Sequence, residues 1–175
     1  MDASLHYLQG KTELVTETLP LLLEFYRDKL AMLLRHQAGA RLVSQYDVNN
    51  TYQYIINREE AQLSWLAAAI AELGGSPAPQ NGTDRTVSGK KADASRQVIE
   101  EDARDARAFV ERWKPRVDVM LNARHAKMLR VILGETLEQE RFFEQALAGR
   151  TDLLGKRGAQ LAPSHGVVLP SRWMD

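Results

Sequence analysis

The sequence predicts an all-α protein, built as a four-helix bundle with a long crossover connection between the second and third helices. Four long segments carry apolar residues at the three- and four-residue spacing of an amphipathic helix, and strand patterns are nearly absent. The connections between these segments are short, long and short in that order. Short connections place the two helices of each pair side by side and antiparallel.

The first helix is predicted over roughly 18–45 and the second over roughly 51–73. Thr18 can cap the first helix, and Pro20 is tolerated in a first turn. The second helix stops at Gly74-Gly75, because glycine accepts the left-handed conformation that often follows a helix.

The crossover, 74–91, is rich in Gly, Pro, Ser and Asn and has no helical period. If extended, it spans about 60 Å, whereas a helix of about 25 residues is about 37 Å long. The connection can therefore run the length of the bundle and start the third helix, roughly 92–114, parallel to the second. A disordered linker between two domains is the alternative. Pro115 is expected to end or kink the third helix.

The fourth helix is predicted over roughly 126–148, with Gly149 as its stop. Residues 1–149 then form one bundle domain, and 150–175 form a non-helical tail. Apolar residues in that tail are expected to dock on the chain's own bundle or on a partner.

Composition restricts the classes of function. The 175 residues carry 23 Lys plus Arg and 23 Asp plus Glu, so no broad basic field exists for nucleic acid or anionic lipid. There is no cysteine, which excludes disulfides and thiolate metal sites. The N-terminus lacks the pattern of a signal peptide, and no apolar run approaches the roughly 18 residues of a membrane span. We expect a cytoplasmic protein with no membrane or nucleic-acid partner.

Two polar residues of the second helix lie where hydrophobic residues are expected. Glu59 and Gln62 interrupt the middle of its apolar stripe. An ionised carboxylate costs several kcal/mol to bury unless a cation, a metal or hydrogen bonds compensate it. The sequence therefore predicts an interior polar site around Glu59.

The second helix also carries a family resemblance. Its run Glu59-Glu60-Ala61-Gln62, followed by Trp65-Leu66 and Leu73-Gly74, resembles the E-E-x-H, W-L and L-G pattern of rubrerythrin-like and bacterioferritin-like proteins of the ferritin-like superfamily. The run Glu135-x-x-Glu138 of the fourth helix resembles the second ligand helix of that family. The resemblance implies a ferritin-like bundle over about 18–148, with carboxylates from four helices and two Glu-x-x-His pairs around two metal ions.

The chain departs from the family pattern at both histidines. Gln62 and Glu138 stand in the two histidine positions, and the inward stripe of the first helix offers Tyr26 where the family has a glutamate. On the third helix Asp102 is the best-placed carboxylate. The candidate metal ligands implied by the resemblance are Glu59, Gln62, Asp102, Glu135 and Glu138.

Two interpretations of these residues stay open. A cluster of carboxylates and one amide would suit manganese, magnesium or calcium. An oxygen-activating iron site needs imidazole ligands as well as carboxylates. Alternatively, no cofactor is bound, and Tyr26, Arg41 or Arg107 compensates Glu59 in a buried hydrogen-bonded network. We favour the second interpretation, with iron or manganese as the alternative.

The four histidines give little support for an enzyme. His36 and His125 lie one position away from the inward stripes of their helices, so we expect both near the surface. His6 and His165 lie in the terminal segments and are ligands only if those segments fold over the bundle.

Three functions follow from these alternatives. The first is a ferritin-like bundle with a decayed di-metal site that acts as a scaffold or interaction protein, with a homodimer as one form. The second is a non-haem di-iron or manganese carboxylate oxidoreductase with a rearranged site. The third is a small-molecule binder. Metal content and its effect on thermal stability discriminate between them.

Overall fold

The computed structural model describes residues 3–82, 84–87 and 90–155, with side chains described from residue 17 onward except at 91. Within these ranges the chain forms four helices and no strand. They are α1 (Ala3–Ala40), α2 (Tyr46–Glu72), α3 (Lys91–Asp118) and α4 (Ala123–Leu147). The all-α, four-helix prediction is confirmed.

Helix α1 begins and ends earlier than predicted. Pro20 lies inside the helix and not in its first turn. A proline removes one backbone hydrogen bond but can be accommodated within a long helix. At the other end, the side-chain amide of Asn49 donates to the carbonyl oxygen of Ala40 at 2.8 Å. This bond satisfies one of the free carbonyls that terminate the helix.

Helix α2 begins just before the polar residues 47–50, which lie between the first two predicted helices. Asp47 lies in its first turn, where a negative charge favours the helix dipole. The next residue, Val48, is buried. Burial of this apolar side chain and the favourable charge together extend the helix to Tyr46, about five residues before the predicted start.

Helix α3 continues past Pro115 to Asp118, so this proline does not end the helix, which was one of the two effects expected of it. Val117, two residues later, is completely buried, and its packing holds the last turn in place. Helix α4 starts at Ala123, where the Asn122 side chain accepts a hydrogen bond from the backbone N–H of His125 at 3.1 Å.

The helices pack as two antiparallel pairs, α1 with α2 and α3 with α4, and smaller contacts join α1 to α3 and α2 to α4. Residues 24 and 35 of α1 pair with residues 112 and 105 of α3, so these helices run in opposite directions. Helix α2 is also antiparallel to α1, and therefore α2 and α3 are parallel. The long crossover predicted between them is confirmed.

An aromatic cluster forms the core between α1 and α3. The Phe25 ring lies 5.1 Å from Phe109 and 4.8 Å from Trp113, centroid to centroid, in edge-to-face geometry. Trp113 is fully buried, and its indole N–H donates to Asp28 at 3.2 Å. Burial of these rings fixes the faces that α1 and α3 present to the interior.

The tail is described only over 150–155, where Leu153 joins the hydrophobic core. The predicted docking of the apolar residues after 155 lies outside the described residues. In the described ranges, none of the four helices combines the length and the hydrophobicity that crossing a bilayer requires.

Candidate functional site

Glu59 is fully buried at the centre of the bundle, as predicted, and both of its carboxylate oxygens are engaged. Lys29 Nζ donates to Glu59 Oε1 at 2.8 Å, and His36 Nδ1 lies 2.8 Å from Oε2. The side chain of Lys29 is also completely buried and that of His36 is 1% exposed. A cation and an imidazole from α1 therefore compensate the carboxylate of α2.

The ammonium of Lys29 has further neighbours. Its Nζ lies 3.3 Å from the Thr136 hydroxyl of α4 and 3.5 Å from the sulfur of Met32. It also lies 5.5 Å from the centroid of the Phe109 ring, within reach of a cation–π attraction. Residues from all four helices thus surround the Lys29–Glu59 pair, which places it on the axis of the bundle.

Glu59 and His36 each have a shifted pKa, and each contributes to the shift of the other. Burial alone would raise the pKa of Glu59, but the positive charges of His36 and Lys29 lower it below its usual value. Burial alone would lower the pKa of His36, but the negative charges of Glu59 and Asp102 raise it. These effects keep Glu59 ionised and make His36 easier to protonate.

A pH dependence of stability follows from these two shifts. His36 is more basic in the folded protein, so its contribution is present below its unfolded pKa of about 6.5 and is lost as the pH rises through the folded value. Glu59 is more acidic in the folded protein, so its contribution is present above about 4.5 and is lost as the pH falls through its folded value. The cluster stabilises the fold most between these limits.

We expect the difference in unfolding free energy between wild type and His36→Gln to shrink as the pH rises from about 6 to 9. Urea unfolding at a series of pH values measures it. His125 titrates in both proteins, so its opposite contribution cancels in the difference. A difference that stays constant over this range would contradict the assignment of the titration to His36.

A second buried network joins α2, α3 and the crossover. The Tyr52 hydroxyl donates to Asp102 Oδ2 at 2.5 Å, and Arg85 Nη1 donates to Asp102 Oδ1 at 2.7 Å. Arg85 also donates to the Glu101 carboxylate at 2.8 Å. A Cβ atom added at Gly39 would lie only 2.8 Å from Arg85 Nη1, so glycine on α1 provides the room for this guanidinium.

Burial raises the pKa of Asp102, although His36 and Arg85 act against it. Burial and the neighbouring Asp102 charge also raise the pKa of the Tyr52 hydroxyl well above 10. Tyr52 therefore stays protonated and donates its hydrogen to Asp102.

A third cluster lies between α2 and α4, closer to the surface. Arg58 donates twice to the Glu135 carboxylate, at 2.5 and 3.1 Å, and Gln62 Nε2 donates to the same carboxylate at 2.5 Å. The Gln62 amide oxygen is buried and lacks a hydrogen-bond partner among the described residues. Glu138 is exposed and pairs with Arg141 at 2.9 Å.

The five predicted metal ligands are therefore distributed over separate clusters. Glu59 lies on the bundle axis, Asp102 lies beside the crossover, Gln62 and Glu135 contact each other, and Glu138 points outward. Of the side chains that the structure describes, no three of His, Asp or Glu converge in a group that could hold a metal ion.

These residues do not fit the two-metal centre that the ferritin-like resemblance implies. Such a centre needs carboxylate and imidazole lone pairs directed at the same cations. Here the lone pairs of Glu59 receive an ammonium and an imidazole, and those of Glu135 receive a guanidinium and an amide. Positive charge from Lys29 and Arg58 already lies where a cation would have to bind.

The three residues that the sequence analysis expected to compensate Glu59 do not contact it. Arg41 is exposed just beyond the end of α1, and Arg107 pairs at the surface with Glu140 and Glu144. Tyr26 is half-buried and packs against the hydrophobic core. None of the three hydrogen-bonds Glu59, because Arg41 lies beyond the end of α1 and Tyr26 and Arg107 lie on other faces of their helices than the one turned to the bundle axis.

Lys29 and His36 were missed for a common reason. The face of α1 buried against the bundle axis is formed by Leu22, Phe25, Lys29, Met32 and His36, at alternating three- and four-residue spacing. This face is one residue away from the stripe chosen by counting only apolar residues. A search for the same three- and four-residue spacing that also counted charged residues would have found this face. The prediction that His125 lies near the surface is also wrong, because it is 5% exposed.

Two solved structures with the same fold support this architecture. A bacterioferritin from Desulfovibrio desulfuricans, described with its diiron site in different catalytic states, has a TM-score of 0.66 and 19% identity over 89% of this chain and 97% of its own. A substituted Dps1 from Mycobacterium smegmatis has a TM-score of 0.56 and 18% identity over 77% and 97%. No family model and no curated protein sequence matches. At this identity the likeness shows the fold alone, which is that of the ferritin-like four-helix bundle.

Proposed function

We propose that this chain is a ferritin-like bundle whose di-metal site has decayed and has been replaced by a buried ion pair, and that it acts as a scaffold or interaction protein. The observation that carries the proposal is the Lys29–Glu59 contact of 2.8 Å between two completely buried side chains. The ammonium supplies, from within the chain, the positive charge that a metal ion would bring to Glu59.

The charge balance supports this proposal. Lys29 neutralises Glu59, and Arg58 neutralises Glu135, so each interior or half-buried carboxylate has a cationic partner from the protein. Adding a divalent ion would require displacing these partners, and the displaced ammonium would be buried without a counter-ion. That displacement costs several kcal/mol.

The surface between α2 and α4 supports an interaction role. The aromatic side chains of Tyr54 and Trp65 are 46% and 39% exposed, and Val131 is 45% exposed. Trp65 and Tyr54 lie around the Arg58–Glu135 pair, since Arg58 stacks on Trp65 and Tyr54 lines the same small pocket as Arg58 and Glu135. Aromatic residues and arginine are the types enriched in protein interfaces. A homodimer is one form of such an interface. The cytoplasmic location and the lack of a nucleic-acid partner expected from composition belong to the same proposal.

Metal analysis tests the proposal directly. We expect protein purified without chelators to contain well below one iron or manganese ion per chain. Its melting temperature should change by about 1 °C or less when excess Mn²⁺ or Fe²⁺ is added, because a ligand stabilises a fold only if it binds the folded state. Stoichiometric metal together with a rise of several degrees would overturn the proposal and favour the metalloenzyme.

A further inference from the structure

The crossover contains the one Asn-Gly pair of the sequence, Asn81-Gly82. Both residues are exposed, and the chain from 75 to 82 is neither helix nor strand. Among the described residues, no backbone group hydrogen-bonds the Gly82 N–H, and none contacts the Asn81 side chain through a hydrogen bond. No described contact therefore prevents the side-chain amide of Asn81 from approaching the backbone nitrogen of Gly82.

The other four asparagines of the chain are held by helices. Asn49, Asn50 and Asn57 lie within α2, where the N–H of the following residue donates to a carbonyl oxygen four residues earlier. The Asn122 side chain is engaged as the cap of α4, because it accepts the backbone N–H of His125 at 3.1 Å. In these four residues either the side-chain amide or the nitrogen that follows it is already used by the helix.

The chemistry open to an Asn-Gly pair is an attack of the backbone on the side chain. The Gly82 nitrogen loses its proton to hydroxide and bonds to Asn81 Cγ, the bond from Cγ to the side-chain nitrogen breaks, and ammonia leaves. Glycine favours this step because it has no Cβ to crowd the attacking nitrogen. Water then opens the cyclic imide at either carbonyl and gives aspartate or isoaspartate. One water is consumed and one ammonia is released, so no oxidant or reductant is needed.

We propose that Asn81 is a self-modification site, at which the folded protein converts its crossover to the aspartate and isoaspartate forms. The exposed, non-helical position of the pair supplies the access to solvent and the freedom of rotation that the reaction requires. Helical backbone withholds both from the other asparagines.

The conversion acts on the connection that Arg85 anchors. Arg85 follows Gly82 by three residues and donates to Asp102 at 2.7 Å and to the Val98 carbonyl oxygen at 3.1 Å. Isoaspartate routes the main chain through the side-chain carbon and adds one atom to it just before this anchor. The added atom displaces the chain that positions the guanidinium, so the modified crossover opens more readily.

Incubation of the full-length protein at about pH 8, followed over time by peptide mapping with mass spectrometry, tests this proposal. We expect conversion at Asn81 to be roughly tenfold faster than at Asn57, which is exposed but helical, because local structure protects the latter. The mass change is that of exchanging NH2 for OH. A synthetic peptide of residues 76–86 gives the unrestrained rate, and folded Asn81 should react within about threefold of it. An intact Asn81, or conversion no faster than at Asn57, would overturn the proposal.

Gly82→Ala is the matched variant. A Cβ atom at this position would lie 3.5 Å from Leu34 Cδ2, an ordinary contact, and Gly82 is not among the glycines with positive φ. The variant should therefore melt as wild type does. Its methyl group crowds the attacking nitrogen and should slow conversion at Asn81 by roughly tenfold. An unchanged rate would contradict attack by the Gly82 nitrogen.

Limited digestion with subtilisin tests the effect on the Arg85 anchor separately. Aged wild type should be cut in the crossover several-fold faster than fresh wild type, whereas aged and fresh Gly82→Ala should be cut equally. Equal cleavage of aged and fresh wild type, with conversion at Asn81 confirmed by mass, would overturn the transmission of the modification to Arg85.

Discussion

Replacing Lys29 by Met is expected to lower the free energy of unfolding by about 3–5 kcal/mol at pH 7, because it leaves the Glu59 carboxylate buried without its cation. Lys29 and Glu59 are both completely inaccessible to solvent, so water cannot replace the lost partner. For a chain of this length the melting temperature should fall by roughly 6–20 °C. Urea unfolding and thermal melting measure the two quantities.

Three companion measurements make the interpretation specific. Lys114→Met removes an ammonium of similar geometry from a pair with Asp118 whose side chains are 65% and 44% exposed, and it should cost less than about 1 kcal/mol. Lys29→Met should be less destabilising at pH 5, since an unpaired carboxylate can take up a proton. The double variant Lys29→Met/Glu59→Gln should recover much of the loss.

Glu59→Gln alone should also destabilise the protein, because it leaves the Lys29 ammonium buried without a counter-charge. The double variant is therefore expected to be more stable than either single variant. If the losses of unfolding free energy in the two single variants simply added in the double variant, Lys29 and Glu59 would not be coupled. That result would contradict a stabilising role of the buried pair.

Arg85→Met is expected to produce the second large loss, about 3 kcal/mol, by removing the guanidinium from the buried Asp102 carboxylate. Arg85 also donates to the Val98 carbonyl oxygen at 3.1 Å and to Glu101. It is the residue that ties the crossover to α3, so its loss acts on a connection as well as on a charge. We expect subtilisin, a protease of broad specificity, to cleave the crossover faster in this variant, because local opening becomes less costly.

The control for Arg85→Met is Arg96→Met, on helix α3. Arg96 pairs with Glu100 one turn away, and their side chains are 66% and 46% exposed, so its removal should cost about 0.5 kcal/mol or less. Asp102→Asn in the Arg85→Met background should restore part of the lost stability, since it removes the uncompensated charge. Equal cleavage of wild type and Arg85→Met would contradict the anchoring role of Arg85.

The sequence predicted the four helices and their order well, because apolar periodicity and connection length are local properties. Helix ends were less accurate. Pro20 was placed in the first turn of its helix and Pro115 was expected to end or kink its helix, yet each lies well inside a helix. Packing of neighbouring residues such as Val117, which is completely buried, outweighs the single hydrogen bond that a proline removes.

The partners of Glu59 could not be predicted, although its burial could. A one-residue change in register turns a helical face by about 100°, so apolar residues alone could not distinguish the face with Tyr26 from the face with Lys29 and His36. Lys29 lies on the correct face, but it was not assigned to the core because lysine is a charged residue. Gly39, which leaves room for Arg85, carried no sequence signal of that role.

The sequence by itself determined that four amphipathic helices form this chain, that a long crossover joins the middle two, and that a carboxylate at Glu59 must be compensated inside. Only the tertiary structure decided that the compensating groups are Lys29 and His36, and that the remaining carboxylates belong to other clusters. The physical reason is that helical periodicity depends on neighbours in sequence, whereas the partner of a buried charge is a side chain on another helix, 23 or 30 residues away along the chain.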